Sequence, residues 1–363
     1  MKHHLWLLPL LALPALCAAQ TPHPDWAVGL YGFADNREFK AEQHQTDRTL
    51  IGTWLAPELG LSFDSVHHLR VGASLLREFG NTAQRVNACQ YTAYYLMDAR
   101  PFTLYFGSFP SRQLLADYPD AMRYDSIAYY RQNMEGVFWR IHLPRTRIDV
   151  WLDWMGMQSP AQRENFKVGI AALHQQKWFF AAAQTYMNHY ALTSNGDTSE
   201  HICDNLMAHL ALGFDLPSKG ALDSLKLSIG AVLDASRERH VTDMMGRTGW
   251  LCELQIEKLG IGIKNTLYQG QPQLPLFAKH GNGLYWSDPF YQNSFYNRTD
   301  FYLRLIDTER VQACFAYSLH YAASVLSHQQ RFTLCLSLDP TRKPAKPRRK
   351  TLAGLLAGKK TAP

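Results

Sequence analysis

The chain has 363 residues, 46% hydrophobic, 12% aromatic and 19% charged, with a formal net charge of +6 and a mean hydropathy of −0.27. That apolar content excludes a disordered chain, and six cysteines in this length exclude a disulfide-dense scaffold. Beyond the first residues no run approaches the ~20 uninterrupted apolar residues of a spanning helix, which excludes a multi-helix membrane protein.

At the N-terminus Lys2, His3 and His4 precede an apolar run from Leu5 to Leu16 and then Cys17-Ala18-Ala19-Gln20. A cationic start, a short apolar stretch and small residues before the cut describe a secretory leader over 1–19. The run is too short to anchor in a bilayer, and Leu16 stands where a lipidated cysteine is preceded by a small residue. The other cysteines, Cys89, Cys203, Cys252, Cys314 and Cys335, are odd in number. They form no C-x-x-C and lie at no zinc-finger spacing from a histidine. They read as incidental, and no metal or cofactor is expected.

From Trp26 to Leu338 the dominant period is two, the period of a strand. Sixteen strands are predicted, at about 26–40, 48–64, 67–79, 89–99, 101–110, 134–143, 147–157, 164–174, 177–192, 207–216, 223–239, 247–258, 260–270, 296–306, 310–323 and 330–338. In 147–154, for instance, Ile148, Val150, Leu152 and Trp154 share one face while Arg147, Asp149, Trp151 and Asp153 share the other. Most of these segments reach the ~9 to 11 tilted residues that cross a bilayer.

The links alternate in length. Ser65-Val66, Arg100, 144–146, Gln175-Gln176, 217–222, Leu259 and 307–309 are tight, whereas 41–47, 80–88, 111–133, 158–163, 193–206, 240–246, 271–295 and 324–329 are mostly longer and polar. An even strand count with short turns on one side and long loops on the other describes an antiparallel transmembrane β-barrel with short periplasmic turns and long extracellular loops. Period two alone also fits a soluble sandwich, but the loops of a sandwich have no reason to alternate in length.

Tyr94, Tyr95, Phe102, Phe106, Phe138, Trp139, Trp178, Phe179, Phe180, Tyr186 and Tyr190 cluster near strand ends, as aromatic girdles do. The faces opposite the apolar stripes carry Glu58, Arg70, Arg140, Asp149, Asp153, Lys167, Lys226, Glu253, Lys264, Arg298, Asp300, Arg304 and Arg331. At mid-depth in lipid an Arg or Lys costs about 2 to 4 kcal/mol, so these side chains are expected to face a wet interior. Sixteen strands enclose a lumen wide enough for an aqueous channel.

In this patterning, over 26–338, the chain resembles the Gram-negative outer-membrane porins and porin-like barrels. The resemblance implies an outer-membrane location and passive passage of small solutes or ions; with no G-x-S-x-G, H-E-x-x-H, P-loop or dinucleotide fingerprint in the chain, no enzymatic activity is expected. It also implies contact with outer-membrane lipid, assembly by the barrel-assembly machinery, and the homo-oligomers usual among porins; no nucleic-acid partner is expected. In that family the loop after the fifth strand often folds inward and narrows the pore. Here that loop is 111–133, with Arg112, Asp117, Asp120, Arg123, Asp125 and Arg131. The expected constriction sets these charges against wall residues Arg70, Arg140, Asp149, Asp153, Arg298, Asp300 and Arg304, because crossed charges in a narrow wet passage set ion preference. The last strand departs from the family, since many such barrels end in an aromatic residue and Leu338 is followed by more chain.

The domain reading is a leader over 1–19, a barrel over 20–340 and a basic, disordered tail over 341–363. Arg342, Lys343, Lys346, Arg348, Arg349, Lys350, Lys359 and Lys360 concentrate the positive charge in that tail, which leaves the barrel mildly acidic.

Two alternatives stay open. One is an occluded barrel whose loops capture ligand or adhere, for which 271–295, with Asn282, Tyr285, Trp286, Asp288 and Tyr291, offers aromatic and polar groups to a sugar. The other is a hydrolase of the barrel rim. The run Leu192-Thr193-Ser194-Asn195-Gly196 matches the last three residues of the His-x-Ser-Asn-Gly signature of outer-membrane phospholipases but lacks its histidine. Asp197, His201 and Asp204 on the same rim supply acid and histidine groups of the kind that activate water.

Overall fold

The computed structural model describes residues 21–111, 114–217, 222–340 and 351. The leader, Arg112 and all of the tail except Thr351 lie outside the described residues. Sixteen antiparallel strands run in up-and-down order: β1 (His23–Glu38), β2 (Arg48–Ser62), β3 (His67–Glu78), β4 (Ala88–Ala99), β5 (Phe102–Pro110), β6 (Asn133–His142), β7 (Thr146–Gly156), β8 (Asn165–Gln176), β9 (Phe179–Tyr190), β10 (Cys203–Pro217), β11 (Ser224–Glu238), β12 (Met245–Lys258), β13 (Ile261–Gly270), β14 (Phe295–Asp307), β15 (Val311–Ala322) and β16 (Val325–Leu338). The sheet closes because β16 pairs back onto β1, with Val28 opposite Leu338 and Glu38 opposite His328.

Residue alternation dictates which face meets lipid. On β10, Leu206, Leu210, Leu212 and Phe214 are exposed on the outer wall, while Cys203, Asn205, Met207, His209 and Ala211 are buried inside. On β14, Phe301 is exposed while Arg298 and Asp300 are buried. The chain therefore forms a closed sixteen-stranded barrel with an apolar exterior, and no helix among the described residues is long and apolar enough to cross a membrane.

Two strands start earlier than the hydropathy pattern marks. β10 begins at Cys203 rather than 207, because Asp204 and Asn205 carry no apolar alternation yet continue the ladder to both neighbouring strands. β16 begins at Val325 rather than 330, where Ser327 and Gln329 point into the lumen and disguise the period. The link before β16 is accordingly not a long loop but a two-residue turn, Ala323-Ser324, with φ of 50° and 61°. Two successive positive φ values are those of a type I′ turn, whose twist matches that of the hairpin strands.

Two links pack into the lumen. The β5–β6 link, with the short helix α1 (Asp125–Tyr130), and the β13–β14 link, with α2 (Phe277–Leu284), both fold inward. Several residues expected in girdles belong to this packing: Tyr94, Phe138, Phe180 and Tyr186 are buried, whereas Phe102, Phe106, Trp139, Trp178 and Phe179 do face outward. The first group stands on inward positions of their strands, where proximity to a strand end says nothing about the face.

Neither Ala nor Ser is at ease with positive φ, at a cost of roughly 1 to 2 kcal/mol per residue. Replacing Ala323-Ser324 by Asn-Gly should raise the temperature at which the folded, fast-migrating form is lost on an unboiled gel; an unchanged or lower transition would refute the turn assignment.

Candidate functional site

The interior is built from the two inserted links, which bond to each other and then to the wall. Tyr124 N–H donates to the Trp286 carbonyl at 2.9 Å, and Asp288 N–H to that of Asp120 at 3.1 Å. Trp286 stacks on Trp151 of β7 with ring centroids 6.0 Å apart, and Trp151 Nε1 donates to the Tyr118 hydroxyl at 2.9 Å. Lys167 of β8, wholly buried, donates to the Leu284 carbonyl at 3.1 Å with its ammonium 4.9 Å from the Trp286 ring. On the opposite wall Tyr129 stacks on Phe33 at 4.7 Å, and Trp54 Nε1 donates to the Tyr129 carbonyl at 2.7 Å. Tyr285, Trp286 and Tyr291 are thus lumenal packing residues rather than a platform offered to a sugar.

The charged residues singled out in the sequence separate into five places. Asp120 and Asp125 on the inserted link meet Arg298 at 2.9 and 3.6 Å, Arg298 meets Asp300 at 2.9 Å, and Arg331 bridges Asp125 at 2.7 Å and Asp300 at 3.1 Å. Arg123 is half-buried on the same link. Asp117 reaches Arg147, Arg140 forms a two-pronged pair with Asp149 at 2.7 and 2.8 Å, and the Arg140 guanidinium also donates to the Leu114 carbonyl at 3.4 Å. Higher up, Arg131 pairs with Asp153 at 2.6 Å. Arg304 pairs with Glu257 at 2.9 Å near the short-turn end. Arg70 does not face the inserted link: it clasps Asp25 at 2.8 and 2.9 Å and Asp339 at 3.0 Å, beside the seam between β1 and β16. Asp149, Asp153, Arg298 and Asp300 are buried and paired, whereas Arg140, Arg304 and Arg331 are paired but keep part of their side chains exposed.

On the outer wall a second arrangement appears, which the sequence gives no contiguous sign of. Cross-strand register aligns Trp154, Phe166, His189, Asp204 and Arg237 in one row across β7 to β11. All share the parity of the lipid-facing Ile170, Met187, Leu206 and Ile229, and each lies close to the long-loop end of its strand. Trp154 stacks on Phe166 at 5.3 Å, and Phe166 lies 5.1 Å from the His189 ring. His189 Nδ1 is 3.0 Å from Asp204 Oδ1, while Arg237 and Arg239 donate to Asp204 Oδ2, each at 2.8 Å. Both arginine side chains remain about two-fifths exposed, at 41% and 37%. An Nδ1–H donated to the carboxylate leaves the imidazole lone pair on Nε2.

Of the rim residues weighed in the sequence, only Asp204 enters this row. His201 offers its carbonyl to Arg163 and to the Cys203 thiol. Thr193 is tied to Asn195 and Glu200, and Asp197 to Ser199, in an exposed loop whose Ser194 N–H donates to the Ser159 carbonyl. A serine next to no base has nothing to raise its nucleophilicity.

Two carboxyls of the inserted links carry opposite pH dependences. Burial raises the Asp125 carboxyl, but Arg331, then Arg298 and Arg37, outweigh it and hold the group at about 2. Its contribution is full above the unfolded value near 4 and is lost as pH falls through about 2. Asp288, buried with its carboxylate accepting from Gln45 and from the Phe290 N–H, is pushed up by that burial to about 6. Its stabilising effect is full below about 4 and is lost as pH rises through about 6. Thermal melts at a series of pH values should therefore show Asp288→Asn flattening the decline between pH 4 and 6, and Asp125→Asn flattening the loss below 4; unchanged pH profiles would contradict these placements.

With the geometry in place, three solved structures illustrate what the barrel is similar to. They are a loop-deletion mutant of OmpT, an outer membrane protein of Vibrio cholerae (7% identity, 87% of this chain and 99% of that chain, TM-score 0.52), OpdL of Pseudomonas aeruginosa (11%, 87% and 99%, 0.52) and OccAB1 of Acinetobacter baumannii (7%, 89% and 99%, 0.51). They show the fold, a porin-like outer-membrane β-barrel. No curated protein matches the chain in sequence. A family model does, over residues 20–339, and its description is lipid A 3'-O-deacylase-type. That match corrects the expectation of a chain without enzymatic activity: the porin resemblance follows from barrel patterning, which a barrel enzyme shares because lipid imposes it on both. Over nearly its whole described length, the chain belongs to the lipid A 3'-O-deacylase-type family.

Proposed function

We propose that the protein is an outer-membrane hydrolase that removes an ester-linked acyl chain from lipid A in the outer leaflet. The observation that carries the reading is the His189–Asp204 pair on the outer wall at the long-loop end, flanked by Arg237 and Arg239. In an outer-membrane barrel the long-loop end faces outward from the cell, so the row lies at the outer-leaflet interface. His189 Nε2 takes a proton from water as the water oxygen attacks the ester carbonyl carbon. The carbon–oxygen ester bond then breaks and the imidazolium returns the proton to the departing alkoxide, giving a free fatty acid and a hydroxyl. Asp204 holds the ring and balances its transient charge, the two guanidinium groups receive anionic headgroup oxygens, and Trp154 and Phe166 flank the acyl chain. The leader over 1–19 supports delivery to this membrane.

The test is release of a fatty acid from lipid A by the purified, refolded chain in mixed micelles, followed by mass spectrometry. His189→Ala should lower kcat by about 10²- to 10⁴-fold, and Arg239→Ala should raise KM more than it lowers kcat. Full activity in a folded His189→Ala variant would defeat the reading.

A second reading, an ion path along the lumenal charges for small ions, is favoured by the inward position of the 111–131 link and its acidic side chains opposite Arg298 and Arg331. Shortening 112–130 should raise single-channel conductance in planar bilayers and alter ion selectivity; unchanged conductance and selectivity would dismiss the constriction.

A further inference from the structure

The geometry points to a transition-metal site, of the kind zinc occupies, that staples the β13–β14 link to the barrel wall. Register places Cys203 of β10 directly opposite Glu238 of β11, both on the inward face. Between them α2 lowers His280. Its Nε2 lies 3.3 Å from Cys203 Sγ and 3.7 Å from Glu238 Oε2, and the three donor atoms all fall within 4.8 Å of one another. Bond lengths of about 2.3 Å to sulfur and about 2.0 to 2.2 Å to nitrogen and oxygen place tetrahedral ligands roughly 3.4 to 3.6 Å apart. The two separations from His280, 3.3 and 3.7 Å, lie close to that spacing, and Cys203 Sγ and Glu238 come within 4.8 Å of each other.

The donor set also selects the ion. One thiolate, one imidazole and one carboxylate suit zinc and its neighbours in the first transition row, whereas calcium and magnesium require oxygen donors. Surrounding contacts orient each ligand. Lys279 takes Glu238 Oε1 at 2.6 Å, which turns Oε2 toward His280, and Tyr190 meets the His280 ring edge-on at 6.0 Å. Such outer contacts hold a metal ligand in its binding pose. The side chains of His280 and Glu238 are 5% and 3% exposed, and Cys203 is wholly buried, so the ion would sit inside the mouth of the barrel. The sequence does not reveal the cluster because its members are 35 and 42 residues apart in the chain.

The test uses the full chain refolded in detergent and titrated with Zn2+ or with Co2+ as a spectroscopic substitute. One equivalent should bind, the Co2+ form should show a thiolate-to-metal charge-transfer band, and Zn2+ should slow proteolysis within 271–294. Cys203→Ser should abolish the band, and His280→Ala should weaken binding at least tenfold, both in variants that keep heat-modifiable migration. Should either variant fail to fold, X-ray absorption of the zinc-loaded natural chain decides: a sulfur shell near 2.3 Å supports the site. Its absence, or binding unaffected by both substitutions, overturns it.

Discussion

Hydrocarbon offers no partner to an unpaired peptide group, and every other feature of this molecule follows from satisfying that demand. A sheet meets it only by closing, and closure depends on β16 finding β1 across the longest sequence separation in the fold. Once the strands are joined in a ring, each successive residue must point either to lipid or to the lumen. The outer wall is consequently apolar by necessity, and all polar chemistry is confined to the lumen, the loops and the narrow bands where the wall meets water.

The lumen resolves much of its polarity by packing and pairing. Aromatic rings from two inserted links pack against inward residues such as Trp151 and Tyr186, and carboxylates delivered by the same links pair with wall arginines. A buried pair of charges offsets its desolvation only with good geometry and further hydrogen bonds. Arg298 and Arg331 each reach at least two carboxylates, which is what makes their burial tolerable.

Fold class was legible in the sequence because lipid imposes a strict alternation, as in 147–154. The start of β16 was not, since Ser327 and Gln329 carry no apolar partner residue to mark the period; the type I′ turn at Ala323-Ser324 lacks the Asn-Gly that ordinarily announces it. The 111–133 link stood out through its length and its two signs of charge. The outer-wall row and the Cys203, Glu238 and His280 cluster stayed hidden, because both exist only through strand register and the descent of α2. Among the singled-out rim residues Asp204 alone belongs to the row, and His201 sits beside the cluster without joining it. Activity was the largest misreading: patterning reports the solvent around a barrel, and the proposed His189–Asp204 pair adds two residues that leave the period unchanged.

Arg70 gives the closing seam a polar latch in addition to its backbone ladder. Its guanidinium holds Asp25, just inside β1, and Asp339, just beyond β16, so one side chain of β3 ties together the two edges that must meet. The barrel thus carries, at its periplasmic end, an ionic check that the ring has shut in the correct register, since a two-residue slip of β16 would carry Asp339 out of reach while leaving every apolar face toward lipid.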